Sequence, residues 1–168
     1  MDTSLQADAN SEQPDWLHAH AHESNPTPPS ADPTLTLLLP GQAAARLTVA
    51  ALRLLPATTL EDCWITSTGH PASGPFTFDG VTLHDLIRRH LPTGLDWRHA
   101  DVVSADGFGN RVLAEEAATD SASHPILLAY RIDGRSMTRA EGLVRLIVPS
   151  ETEDALRQVK WIAEIRVE

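Results

Sequence analysis

The stretch LEDCWITSTGHPASGPFTFDGVTLHDLI, residues 60–87, joins a strand-like run to a helix through a Gly- and Pro-rich segment, and it holds the chain's one cysteine, Cys63. Its first part belongs to TTLEDCWITST (58–68), dense in β-branched and aromatic residues, which reads as a strand. HPASGPFTFDG (70–80) has two Pro and two Gly in eleven residues and predicts a loop. TLHDLIRRHL (82–91) predicts a helix: Thr82 stands at the N-cap, Asp85 follows at capping-box spacing, and Leu83, Leu86, Ile87 and Leu91 form one apolar stripe. Cys63 is open to two readings, a small buried strand residue or a ligand. Strand alternation puts Cys63 and Ile65 on one face, Asp62 and Trp64 on the other.

Short apolar runs punctuated by turn residues continue in both directions. TLTLLL (34–39) is a strand ending at Pro40-Gly41, and TVAALRLLP (48–56) is one or two helical turns between an N-cap at Thr48 and a stop at Pro56. ADVVSA (100–105) is a strand that ends in the turn DGFGN, after which RVLAEEAA (111–118) begins extended and becomes a short helix. HPILLAYRIDGR (124–135) is a buried strand leading to a hairpin turn at Asp133-Gly134, and VRLIVPS (144–150) is a strand stopped by Pro149. In VKWIAEIRV (159–167), Val159, Trp161, Ala163, Ile165 and Val167 alternate with Lys160, Ile162, Glu164 and Arg166. That period predicts a strand with Trp161 buried and Lys160 facing the other way. Many short strands with few short helices define an α+β fold with mixed or antiparallel sheets. There is no internal repeat, Walker loop, dinucleotide fingerprint or nucleophile elbow.

At 168 residues the chain is long enough for one domain with a real core. No apolar run approaches the roughly 18 residues a membrane helix needs, so no membrane association is expected. The net charge of −10 repels polyanions, which argues against nucleic acid as a partner. Residues 1–33 hold six acidic side chains, no Lys or Arg, and five prolines among Ser, Asn, Thr and Gln. Such a segment cannot bury enough apolar surface to offset its ordering entropy and is expected to be disordered, leaving residues 34–168 as the domain. Its His18, His20 and His22 offer a separate site for a divalent metal only if something holds them extended. The opening MDTSLQADANSEQPDW lacks a basic and then apolar leader, and a single Cys fits a reducing compartment, so a cytoplasmic protein is expected.

Six segments in order resemble the molybdopterin-binding catalytic domain of the sulfite oxidase family. They are EDCWIT, FDGVTLHDLI, the ADGF turn after a strand, PILLAYRIDGRSM, GLVRLIVP and RQVKWIAEIRV, together covering Leu35 to Val167. The resemblance implies a sulfite oxidase catalytic-domain-like fold and an oxidoreductase with a molybdenum-molybdopterin cofactor. It further implies Cys63 as the protein's thiolate ligand to the metal. Arg157 and Lys160, just before the last strand, are implied as contacts for the cofactor's phosphate; their alternative is an ordinary solvated face. A His/Asn-containing segment before the Cys strand and an Arg-bearing loop in the middle, both usual in the family, have no clear counterpart, and SETED (150–154) places carboxylates near the expected phosphate.

Two functions follow from these features. One is a molybdenum-pterin oxidoreductase of the oxygen-atom transfer type, acting on a small molecule and exchanging electrons with a redox partner. The other is a non-catalytic binding module of the same fold that has lost cofactor contacts. If residues 1–33 contribute nothing to the core, deleting them should leave the melting temperature unchanged; a large drop would show that they pack on the domain.

Overall fold

The computed structural model describes residues 29–65, 72–119, 124–149 and 157–168. The tail's first 28 residues, including His18, His20 and His22, lie outside these. Two five-stranded sheets form the domain. The first runs in the order β2 (Ala45–Leu47), β1 (Leu35–Leu38), β10 (Ile162–Val167), β5 (His99–Ser104), β6 (Gly109–Leu113). It is mixed, because β1 lies parallel to β10 while the other pairings are antiparallel. The second runs β3 (Thr58–Ile65), β4 (Ser73–Thr82), β7 (Leu127–Ile132) and is antiparallel throughout. Beyond β7, its far edge is shared by β8 (Arg135–Ser136) and β9 (Arg145–Ile147). The α+β class expected from the sequence is therefore the one observed.

Local signals place the helices. In α1 (Val49–Arg53) the Thr48 hydroxyl accepts from Ala51 N at 3.1 Å, and in α2 (Leu83–His90) the Thr82 hydroxyl accepts from Asp85 N at 3.0 Å. Each such cap stabilises its helix by about 1 kcal/mol. Leu83, Leu86 and Ile87 are fully buried and Leu91 nearly so, as the apolar stripe requires. They enter the main core with Leu35 and Leu37 of β1, Val102 of β5, Leu128 of β7 and Ile165 of β10. Each such side chain contributes roughly 1.5–3 kcal/mol by leaving water. α3 (Ala114–Thr119) follows β6, as the reading of RVLAEEAA requires.

Two expectations are corrected. The Gly/Pro segment read as a loop is most of β4, which pairs with β3 on one side and β7 on the other. Its glycine is spacing, not a turn: a Cβ at Gly80 would lie 2.0 Å from the Leu128 carbonyl oxygen. Tertiary pairing thus overrides the local breaker signal. The last strand begins only at Ile162, because Trp161 adopts φ 50° and a bulge between Ile162 and Glu164 shifts the register. The phase of VKWIAEIRV is broken there. Trp161 is buried, as expected, but just before the strand, its indole N–H donating to the Arg139 carbonyl at 2.6 Å. Ile162 is buried instead of outward, and Lys160 is half-buried, with its ammonium 5.7 Å from the Trp161 ring centroid.

The second sheet is apolar on both faces. Val81, Leu128 and Leu146 face the main core, while Leu60, Phe78, Leu127, Ala129 and Ile147 form a smaller cluster on the other side. Cys63, Ile65 and Phe76 pack against that smaller cluster. Because Gly80 sets the distance between β4 and β7, Gly80→Ala should cost about 3 kcal/mol, the upper end for overpacking. A chemical-denaturation midpoint unchanged by the substitution would show that the two strands separate freely at this point.

Candidate functional site: the Cys63 cleft

β3 is the edge strand of the second sheet, and it is bulged where Cys63 sits. Leu60 lies opposite Phe78 and Cys63 opposite Phe76, so three steps on β3 match two on β4. The extra residue is taken up with Asp62 at φ 54°, a conformation that Asp tolerates better than most side chains. The bulge turns Leu60 and Cys63 to the same side although an odd number of positions separates them. From there the expected alternation holds: Cys63 and Ile65 pack on the small cluster, while Asp62 and Trp64 are exposed. Across the pair, a Cβ at Gly74 would lie 2.7 Å from the Cys63 carbonyl oxygen, so only glycine lets β4 cross this close to the cysteine.

A cleft of about 810 Å³ runs along this edge. Cys63, Glu61 and Asp62 line one wall, and Ile147, Pro149 and Gln158 line the other, with His124 also at the cleft. Cys63 is half-buried, and its thiol is pushed above its usual range first by burial and then by the carboxylate of Asp62. In the free protein it is therefore a protonated thiol at neutral pH, not an activated nucleophile. Among the described residues no three His, Cys, Asp or Glu side chains come together as a metal site.

The two cations expected beside it are placed differently. The guanidinium of Arg157 is engaged by Glu116 of α3 and the Arg111 carbonyl, against the first sheet. Lys160 lies over Trp161, with its pKa lowered first by burial and then by Arg145. Neither lines the cleft. One of the two residues between them does: Gln158 is buried at the cleft wall, and its Oε1 accepts from Arg145 at 3.1 Å.

Arg145 was not singled out by the sequence, where it is one charge in the apolar run VRLIVP. That isolation was the available signal. It lies on β9 opposite Ala129 of β7, on the side of the sheet that carries the small cluster. It is almost wholly buried, and burial lowers its pKa to about 10. Among the described residues no carboxylate pairs with it, and its Nε has no hydrogen-bond partner. Glu141, the acid whose charge it feels, is bound in a two-pronged pair to Arg135 at 2.6 and 2.8 Å. Arg145, Lys160 and Gln158 thus concentrate positive charge and an unused donor behind one wall of the cleft.

Residues 32–168 match the family described as the oxidoreductase molybdopterin binding domain, and the chain belongs to that family. Its fold is the sulfite oxidase-like one. The crystal structure of the sulfane dehydrogenase SoxCD from Paracoccus pantotrophus superposes with a TM-score of 0.60 at 19% identity, over 80% of this chain. The match spans 37% of that neighbour's length. No curated protein sequence matches the chain. Among the described residues no helix is long and apolar enough to cross a membrane.

A buried cation without a counter-charge costs stability until something anionic meets it. Replacing Arg145 and its partner together, as Arg145→Met with Gln158→Leu, should leave the cofactor-free protein as stable as before or raise its stability by about 1–3 kcal/mol. A loss of more than about 2 kcal/mol in urea titration would show that the protein itself already satisfies the guanidinium.

Proposed function

We propose that this protein is a molybdenum-pterin-dependent oxidoreductase of the oxygen-atom transfer type, with Cys63 as the protein ligand to the metal. The observation that supports the reading is the placement of Cys63: the chain's one thiol is half-buried against the small cluster at a bulge and also lines the cleft over it. The residues fit the group at the cysteine end, where a thiolate is the soft donor that a sulfur-ligated molybdenum centre takes. At the other wall the unpartnered Nε of Arg145 is the kind of donor an anionic phosphate uses, but it is buried behind Gln158 and does not line the cleft.

When bound, the cofactor would supply two-electron redox chemistry coupled to movement of an oxygen atom. The chain's own residues do the rest. Cys63 gives up its proton on binding, which its raised pKa makes costly in the empty cleft and which the metal's charge offsets. Gln158 would be the residue of the cleft lining nearest the phosphate end, with Arg145, to which it is hydrogen-bonded, and Lys160 acting only as positive charge set back from the lining. Arg157 would join them only by giving up Glu116. Ile147 and Pro149 exclude water along the wall between the ends. A small-molecule substrate and a separate electron-transfer partner complete the reading.

Expression in a host that makes the cofactor tests it. Purified protein should contain molybdenum together with a fluorescent pterin oxidation product, and Cys63→Ser should lose the metal while its unfolding midpoint stays within about 1 kcal/mol of the parent. Protein without molybdenum, and a Cys63 that alkylates only after unfolding, would leave the non-catalytic binding module as the function.

A further inference from the structure

The cleft lining is acidic beside Cys63, and the nearest cations are set back from it. Behind Gln158 stand Arg145 and Lys160, whereas the strand that bears Cys63 presents Glu61 and Asp62, both exposed and both lining the cleft. Among the described lining residues there is no Lys or Arg, and neither acid makes an ion pair with a described cation.

We infer that the Cys63 end of the cleft selects a neutral or cationic substrate over an oxyanion such as sulfite, with Glu61 and Asp62 as the residues that set this preference. The inference rests on the reading of the cleft as the cofactor and substrate site. The physical basis is Coulombic. Two carboxylates flanking a partly desolvated opening raise the free energy of an approaching anion and lower that of a cation, while a neutral solute is unaffected.

Because Cys63 is the only thiol, its own reactivity reports the field without any bound cofactor. The experiment uses the full-length protein from a host unable to make the cofactor. It is reacted in the native state with methanethiosulfonates bearing trimethylammonium, hydroxyl or sulfonate head groups. Each rate is divided by that of the same reagent with 2-mercaptoethanol, which removes intrinsic reactivity, and ratios at one pH cancel the thiolate fraction. The cationic reagent should exceed the anionic one by about tenfold at low salt, with the neutral reagent between them. The ratio should collapse toward one in 0.5 M salt and in Glu61→Gln/Asp62→Asn, where Asn keeps the left-handed conformation accessible at position 62.

Equal normalised rates, faster reaction of the anionic reagent, or a preference that survives the double substitution would each overturn the inference. Failure of all three reagents to react before unfolding would overturn it as well, because the cleft would then not admit a solute to the cysteine. Molybdenum content of protein from a cofactor-producing host separates the two claims. Retained metal with no charge preference sinks this inference alone, and charge preference without retained metal sinks the cofactor reading alone.

Discussion

At Gly80 the backbone of β4 passes so close to that of β7 that a Cβ would sit 2.0 Å from the Leu128 carbonyl oxygen, and the second sheet is organised around that approach. With β7 on one side and β3 on the other, β4 is an interior strand whose alternation sends Phe78 to the small cluster and Val81, three positions on, to the main core, while β7 takes up the extra residue of the register shift beside Gly80. A sheet that is apolar on both faces needs cover on both. The main core is covered by the first sheet and α2, but the smaller cluster is covered incompletely, and the cleft is the space that remains over it.

The position of Cys63 follows from the same strand. Gly74 lets β4 cross the Cys63 carbonyl, and the bulge at Asp62 takes up the extra residue on β3. Without the bulge, strict alternation would put Leu60 and Cys63 on opposite faces, and burial of Leu60 would turn the thiol outward to solvent. The bulge reconciles a core leucine with a cleft-facing cysteine. Bulges of this kind re-aim side chains at sheet edges, and β3 is an edge.

Elements fixed by neighbours within a few residues were legible in the sequence: Thr48 and Thr82 cap their helices, and Asp133-Gly134 closes the β7–β8 hairpin. Cys63 was legible as the candidate ligand, with its two possible environments left open. What could not be read depends on partners distant in sequence. Gly74 and Gly80 look like turn residues until the strands beside them are known, since the same lack of a Cβ serves a turn and a close crossing. Trp161 breaks the phase of the last strand because its backbone N–H donates to the Gly142 carbonyl, nineteen residues away in a different loop. Arg157 and Lys160 were chosen by position along the chain, which says nothing about Glu116 or the Trp161 ring. Arg145 was hidden by an ordinary strand pattern, although a single Arg in an apolar run is costly enough to ask what it serves.

That cost links fold to chemistry. Nothing in packing requires a guanidinium beside Ile147 and Ala129, where an aliphatic side chain would bury without penalty. Gln158 meets one of its N–H groups, Nε meets none, and Glu141 is already committed to Arg135. Arg145 is therefore out of balance in the free protein, a cost that packing does not explain and that the anionic occupant proposed above would offset. The Cys63 thiol carries no such imbalance, because burial and then Asp62 favour its neutral, protonated form.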